Sequence, residues 1–175
     1  FSPNAAPPEA GTGIDAPDPS GDGAIDGEAG PPDASPDGAA SACDPVACTS
    51  VLGICTGDVC VIEVATARTL QCPANLTCAF RCTTGVACKG TIDCADAESC
   101  TIDCMAMNAC NGAMPACPPG GCTVFCRVMN TCANMKLDCR APGGCDLECC
   151  AASACGANTS TGNGSFELND PGTCP

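Results

Sequence analysis

Sulfur is the one reactive element this sequence carries in quantity. Of its 175 residues 22 are Cys, and none is His, Trp or Tyr. Cysteines attack as thiolates, hold soft metals or oxidise in pairs. Without His there is no Cys-His or Ser-His-Asp catalysis, no His-ligated zinc and no C-x-x-C-H haem attachment. A metal-storing chain would carry many C-x-C pairs, and neither C-x-C nor C-x-x-C occurs. Zinc and iron–sulfur chemistry are therefore not expected, nor is any other metal or cofactor. Oxidised pairs remain, and a composition of about 13% Cys is that of a disulfide scaffold.

The spacing makes the same point. Cys72, Cys78, Cys82 and Cys88 are followed by Cys94, Cys100, Cys104 and Cys110. Cys117, Cys122, Cys126 and Cys132 come next, then Cys139, Cys145, Cys149 and Cys155. The unit is C-x4/5-C-x3-C-x5-C-x5/6, close to 22 residues long. Cys43, Cys48, Cys55 and Cys60 read as an earlier, looser copy with longer strands, and Cys150 and Cys174 are left over.

The elements that hold these cysteines follow from what is missing. Only 29 residues are Leu, Ile, Val, Met or Phe, against 28 Ala. So few large side chains cannot offset the ordering entropy of this much backbone. A short period with β-compatible pieces predicts an all-β fold, a small disulfide-stapled β-solenoid with one coil per unit. AFR, TID, TVF and DLE read as one strand of each coil, and KGTID, NGAMPA and ANMKLD as the other. The pieces PANLT, TTGVA, ADAES, MAMNA and RVMNT read as arches. Helix competes over ADAESC and VMNTCANM, but the regular cysteines override it. The interior should be narrow, with no room for aromatics.

Two pairing schemes fit stacked coils. Each Cys can bond its equivalent one coil away, or each bond can close an arch within a coil. Five copies of a column cannot pair off by neighbours without leftovers, so parity favours arches. The expected bonds are Cys43–Cys48, Cys55–Cys60, Cys72–Cys78, Cys82–Cys88, Cys94–Cys100 and Cys104–Cys110. They continue with Cys117–Cys122, Cys126–Cys132, Cys139–Cys145 and Cys149–Cys155, with Cys150–Cys174 strapping the tail over the last coil.

Residues 1–42 are different in kind, and residues 43–175 form the repeat domain. The first region holds eight Pro, seven Gly, eight Asp or Glu, ten Ala and no Lys or Arg. It reads as an extended arm, up to about 130 Å long at ~3.1 Å per residue. Its large apolar residues, Phe1, Ile14 and Ile25, are candidate anchors onto a neighbouring copy. At the N-terminal end the first unit is irregular, with VLGI and VIEVATA the most β-prone segments of the chain, and the sequence shows no polar cap there. An uncapped strand edge recruits another strand.

Charge and length exclude partners. A net charge of −14 with six basic residues argues against nucleic acid and anionic membranes. No run of 18 apolar residues exists to form a membrane span. The start at Phe1 is read as that of a mature secreted chain, extracellular or at the cell surface.

Asp93, Asp103, Asp138 and Glu148 fall near strand ends, where calcium ligands or solvent-facing charges both fit; the charges are the expectation. Asn75, Asn158 and Asn163 begin N-x-S/T sequons, so glycans are candidate partners.

Two resemblances add to this. The C-x5-C spacing resembles that of the beetle antifreeze solenoids, which implies disulfide-closed arches. Their Thr-x-Thr array is not matched: the corresponding column runs Ala79, Thr101, Thr123, Asp146, so ice binding is not expected. The arm's composition followed by a Cys-rich repeat resembles secreted surface proteins of myxobacteria and related bacteria. Many of those are lipoproteins with an N-terminal lipidated Cys; Phe1 stands at that place here, and no lipid anchor is expected. Mature type IV pilins also begin with Phe but continue into a long apolar helix not seen here. The function expected is a non-enzymatic extracellular structural protein that assembles with copies of itself into a filament. The alternative is a monomeric secreted binding module, an adhesin or inhibitor, on a flexible stalk.

Overall fold

The computed structural model describes residues 42–169 and Cys174. The arm and its anchors Phe1, Ile14 and Ile25 lie outside the described residues.

The repeat becomes two stacks of short strands. One sheet contains β1 (Ile54–Thr56), β2 (Val59–Val64), β4 (Thr77–Cys82), β6 (Ser99–Cys104), β8 (Cys122–Cys126), β10 (Cys145–Cys149) and β12 (Phe166–Asn169), in that order. The other contains β3 (Leu70–Gln71), β5 (Thr91–Asp93), β7 (Met114–Ala116), β9 (Lys136–Cys139) and β11 (Thr159–Gly162). From β2 onward every pairing is parallel, one strand per sheet per coil. Cys78, Cys100, Cys122 and Cys145 stand in one register column and Cys82, Cys104, Cys126 and Cys149 in another. This is a β-solenoid of about five turns with a period near 22 residues.

The period of two along a strand sorts its side chains. In β4 Cys78, Phe80 and Cys82 face in, while Thr77, Ala79 and Arg81 face out. The middle of the inner face is the ladder Ile62, Phe80, Ile102, Val124, Leu147. Leu70, Ile92, Pro115 and Leu137 line the inner face of the second sheet. The interior is thus one large side chain deep from each sheet, with sulfur at both corners. One aromatic is admitted, contrary to the expectation from composition: Phe80 is 1% exposed between Ile62 and Ile102. Pro115 donates no N–H, and β7 meets β9 through a single partner pair, Ala116 with Asp138.

The first cysteine unit departs from the repeat. Asp44 caps a short helix, α1 (Pro45–Ser50), its Oδ1 accepting from the Val46 N–H at 2.9 Å and the Ala47 N–H at 3.3 Å. Pro45 occupies the first turn, where its missing N–H costs nothing. β1 and β2 then form an antiparallel hairpin around Gly57-Asp58, with Gly57 at φ +61° as a two-residue loop requires. The bonds here are Cys43–Cys55 and Cys48–Cys60, not the expected Cys43–Cys48 and Cys55–Cys60. Cys55 and Cys60 sit opposite one another in the hairpin; Cys60 bonds to Cys48 within α1, and Cys55 to Cys43 just before the helix cap. A helical turn is no arch, so the arch rule fails where its geometry does. The end that reads as uncapped is in fact covered by this helix–hairpin unit.

The other end also extends further than the cysteines suggest. Beyond Cys155, β11 and β12 add one more strand to each sheet without any sulfur between them. Cys174 is bonded to Cys150. Neither ADAESC nor VMNTCANM is helical, and α1 is the one helix among the described residues.

Candidate functional site

Two columns of disulfides run along the corners. Cys72–Cys78, Cys94–Cys100, Cys117–Cys122 and Cys139–Cys145 close the arches on one side. Cys82–Cys88, Cys104–Cys110, Cys126–Cys132 and Cys149–Cys155 close those on the other. In the central coils, then, the bonds follow the arch scheme that parity favours. Sulfurs of successive coils touch: Cys145 Sγ lies 3.3 Å from Cys117 Sγ. Those of Cys82, Cys104 and Cys110 lie within 4.8 Å of one another. Every one of these sulfurs is bonded in a pair, and a disulfide sulfur is neither thiolate ligand nor nucleophile. Their contribution is mechanical.

The arches use left-handed residues at equivalent places. Asn108 (φ 62°) and Asn130 (φ 56°) occupy the same arch position one coil apart. Asn tolerates that conformation better than other non-glycine residues. The four-residue arch Pro118–Gly121 stacks on Ala141–Gly144, and an added Cβ at Gly143 would collide with the backbone of Gly120 and Gly121. Close approach of backbone to backbone is why glycine stands there.

The outer face carries three ion pairs among the described residues, two between coils and one, Arg140 with Asp138, within a coil. Arg127 donates from Nε to Asp103 Oδ1 at 2.8 Å and from Nη2 to Oδ2 at 3.2 Å, and its guanidinium lies 5.0 Å from the Phe125 ring centre. The Asp103 hydrogen bond raises the Arg127 pKa above its ordinary value, partial burial works against this, and the Asp103 charge adds to the rise. Arg81 meets Glu63 at 3.4 Å, and Arg140 meets Asp138 at 3.5 Å. The pairs between coils are not legible in the sequence, because Asp103 and Arg127, or Glu63 and Arg81, come together only once the register of the strands is known.

The four carboxylates weighed as calcium ligands are not brought together. Asp103 and Glu148 have Phe125 between them in their column, and Asp93 and Asp138 have Ala116. Two ladder steps are roughly 9.6 Å, too far to share one ion. Asp93 Oδ1 accepts from the Ala95 N–H at 3.1 Å, and Glu148 Oε1 accepts from Asn169 Nδ2 at 2.6 Å. Ala79, Thr101, Thr123 and Asp146 do form one outward column. Of the sequon asparagines, Asn158 accepts from the Met135 N–H at 2.9 Å and Asn163 from the Ala141 N–H at 3.2 Å. Both therefore brace one coil against the next. Asn75 is exposed, and its N–H donates to the Asp96 carbonyl.

Large apolar side chains reach solvent at several places among the described residues, Met114 on β7 and Leu168 on β12 included. Val46, Leu52 and Ile54 on the helix–hairpin unit are 79%, 72% and 75% exposed. Val86, Met105, Met107 and Met129 are exposed along one line of arches. Beside the helix–hairpin unit, a cavity of ≈190 Å³ lies between the end of α1 and β3. Val51, Leu52, Ile62, Leu70 and Phe80 line it, together with Arg68.

Eleven disulfides fit an oxidising, extracellular setting. No helix among the described residues is long and apolar enough to cross a membrane. No protein-family model, curated protein sequence or solved structure matches the chain.

Proposed function

We propose that this is a non-enzymatic, secreted structural protein that joins end to end with copies of itself into a surface or matrix filament. The observation that carries the reading is the apolar outer side of the helix–hairpin unit, where Val46, Leu52 and Ile54 stand in solvent. A terminal unit that ends a solenoid in water presents a polar outer face. Support comes from the sheet edges: β1 and β3 are edge strands at one end, β11 and β12 at the other. Contact between unlike ends is heterologous, and where its rotation does not close into a ring it propagates as a filament. The disulfide corners suit such a role, since no coil can unravel locally while its arches stay bonded. The test is electron microscopy and sedimentation of native protein beside a Leu52→Asp/Ile54→Lys variant. Filaments that vanish in the variant support the reading; discrete particles in both refute it.

One observation favours the alternative of a monomeric binding module, an adhesin or inhibitor. The antiparallel hairpin covers the coil end much as the cap of a monomeric solenoid does. In that reading the exposed line of Val86, Met105, Met107 and Met129 is the contact surface.

A further inference from the structure

The cavity beside α1 has three properties that together describe a ligand. Its size, ≈190 Å³, is below the range of drug-sized and cofactor sites and suits one or two aliphatic side chains. Its wall includes β3, an edge strand paired with β5 alone among the described residues, so one side of its backbone is open to another strand. Its charged lining residue, Arg68, is half-buried and has no ion-pair partner among the described residues, in a protein of net charge −14. An extended acidic segment bearing an aliphatic side chain answers all three.

The pairing of β3 with β5 shows what such a strand should look like. Leu70 stands beside Ile92 on the inner side, and Gln71 beside Asp93. The strand that fits the edge of β3 is thus of the type already on its other side, an Ile followed by an Asp. The arm contains that pair twice, Ile14-Asp15 and Ile25-Asp26, and these are its only isoleucines. It also carries no Lys or Arg to oppose Arg68.

We infer that the α1–β3 cavity is a receptor for the arm of a second copy, which adds a strand to β3 through an Ile-Asp pair. The isoleucine enters the cavity between Leu70 and the Ile62–Phe80 wall, and the arm's carboxylates are drawn to Arg68. The inference rests on the self-assembly reading only in taking the arm from a second copy.

The test uses the full chain with Ile14→Ser and Ile25→Ser, so that its own arms do not compete, and a synthetic peptide of residues 21–29 as probe. Amide and methyl resonances are followed by NMR. Saturable shifts at Val51, Leu52, Leu70 and Gln71 are expected. An Ile25→Ser peptide should bind at least tenfold more weakly, and Arg68→Gln in the body should weaken binding severalfold and flatten its salt dependence. Unmoved resonances at millimolar peptide, or binding indifferent to Ile25→Ser, would overturn the inference. Sedimentation of the unsubstituted chain separates the two readings. Peptide binding with a monomeric chain leaves the site standing and removes self-assembly. Filaments that persist in the doubly substituted chain, with no peptide binding, do the reverse.

Discussion

If sulfur stands in for a greasy interior, deleting one staple should cost about what deleting a core aliphatic costs. Cys104 and Cys110 provide the cleanest case, in the middle of the stack. Their bond spans six residues. Closing so small a loop removes about 2 kcal/mol of unfolded-state entropy at 25 °C in the chain-entropy model. Both sulfurs are fully buried, and that of Cys82 lies within 4.8 Å of both. Truncating them leaves a small void worth ~1 kcal/mol more. The Cys104→Ala/Cys110→Ala variant should therefore lose roughly 3 kcal/mol. Ile102, in the same strand and fully buried, offers the comparison. Ile102→Ala should lose roughly 2–5 kcal/mol. Urea unfolding without reductant measures both. The two differ in one respect: only the staple deletion frees the unfolded chain to expand, so only its m-value should rise. A staple variant losing less than ~0.5 kcal/mol, at unchanged m, would refute the claim that the bonds act by restraining the unfolded chain.

Other outcomes follow from particular contacts. Mass spectrometry of non-reduced digests should find Cys43 joined to Cys55 and Cys48 to Cys60; any Cys43–Cys48 peptide would restore the arch scheme to the first unit. Gly143→Ala should destabilise by about 1–3 kcal/mol or misfold, because its Cβ meets backbone that cannot step aside, and thermal unfolding reads the loss. A chelator should leave the circular dichroism spectrum and thermal midpoint unchanged while a dithiol reductant abolishes the folded signal; the opposite pattern would mean that metal, not oxidised sulfur, holds the coils. Asp103→Asn should cost no more than about 1 kcal/mol, and less at high salt, since its partner Arg127 is partly solvated.

The coils were legible because one residue type marks every corner. Cysteine at a fixed interval fixes the arch, and the arch fixes which residues between face in. Phe80, Ile102, Val124 and Leu147 fall into one ladder simply by lying midway between the second and third cysteine of each unit. The ends were not legible, for two reasons. At the first unit the cysteines persist but the backbone changes, and the signal lay in Asp44-Pro45, a helix cap and first-turn proline overlooked beside the sulfur pattern. At the last, β11 and β12 continue the stack without cysteine, and nothing in Thr159–Gly162 or Phe166–Asn169 repeats the earlier spacing. The charged ladder was missed because a pair such as Asp103 and Arg127 lies 24 positions apart, invisible until the register is known.

That division between coils and ends bears on the self-assembly proposed above. Inside the stack the strands of the central coils are paired on both sides, their corners are bonded, and two of the outward arginines, Arg81 and Arg127, meet carboxylates on the adjacent strand. Such a surface can be long and durable, but it has little left to offer a partner beyond the methionine line. Unmet demands stand out at the helix–hairpin end: Val46, Leu52 and Ile54 exposed, β3 with an open edge, and Arg68 with no ion-pair partner among the described residues. The first unit, which escapes the arch rule, is in the proposed reading the part that meets another copy, and that makes it the part to test.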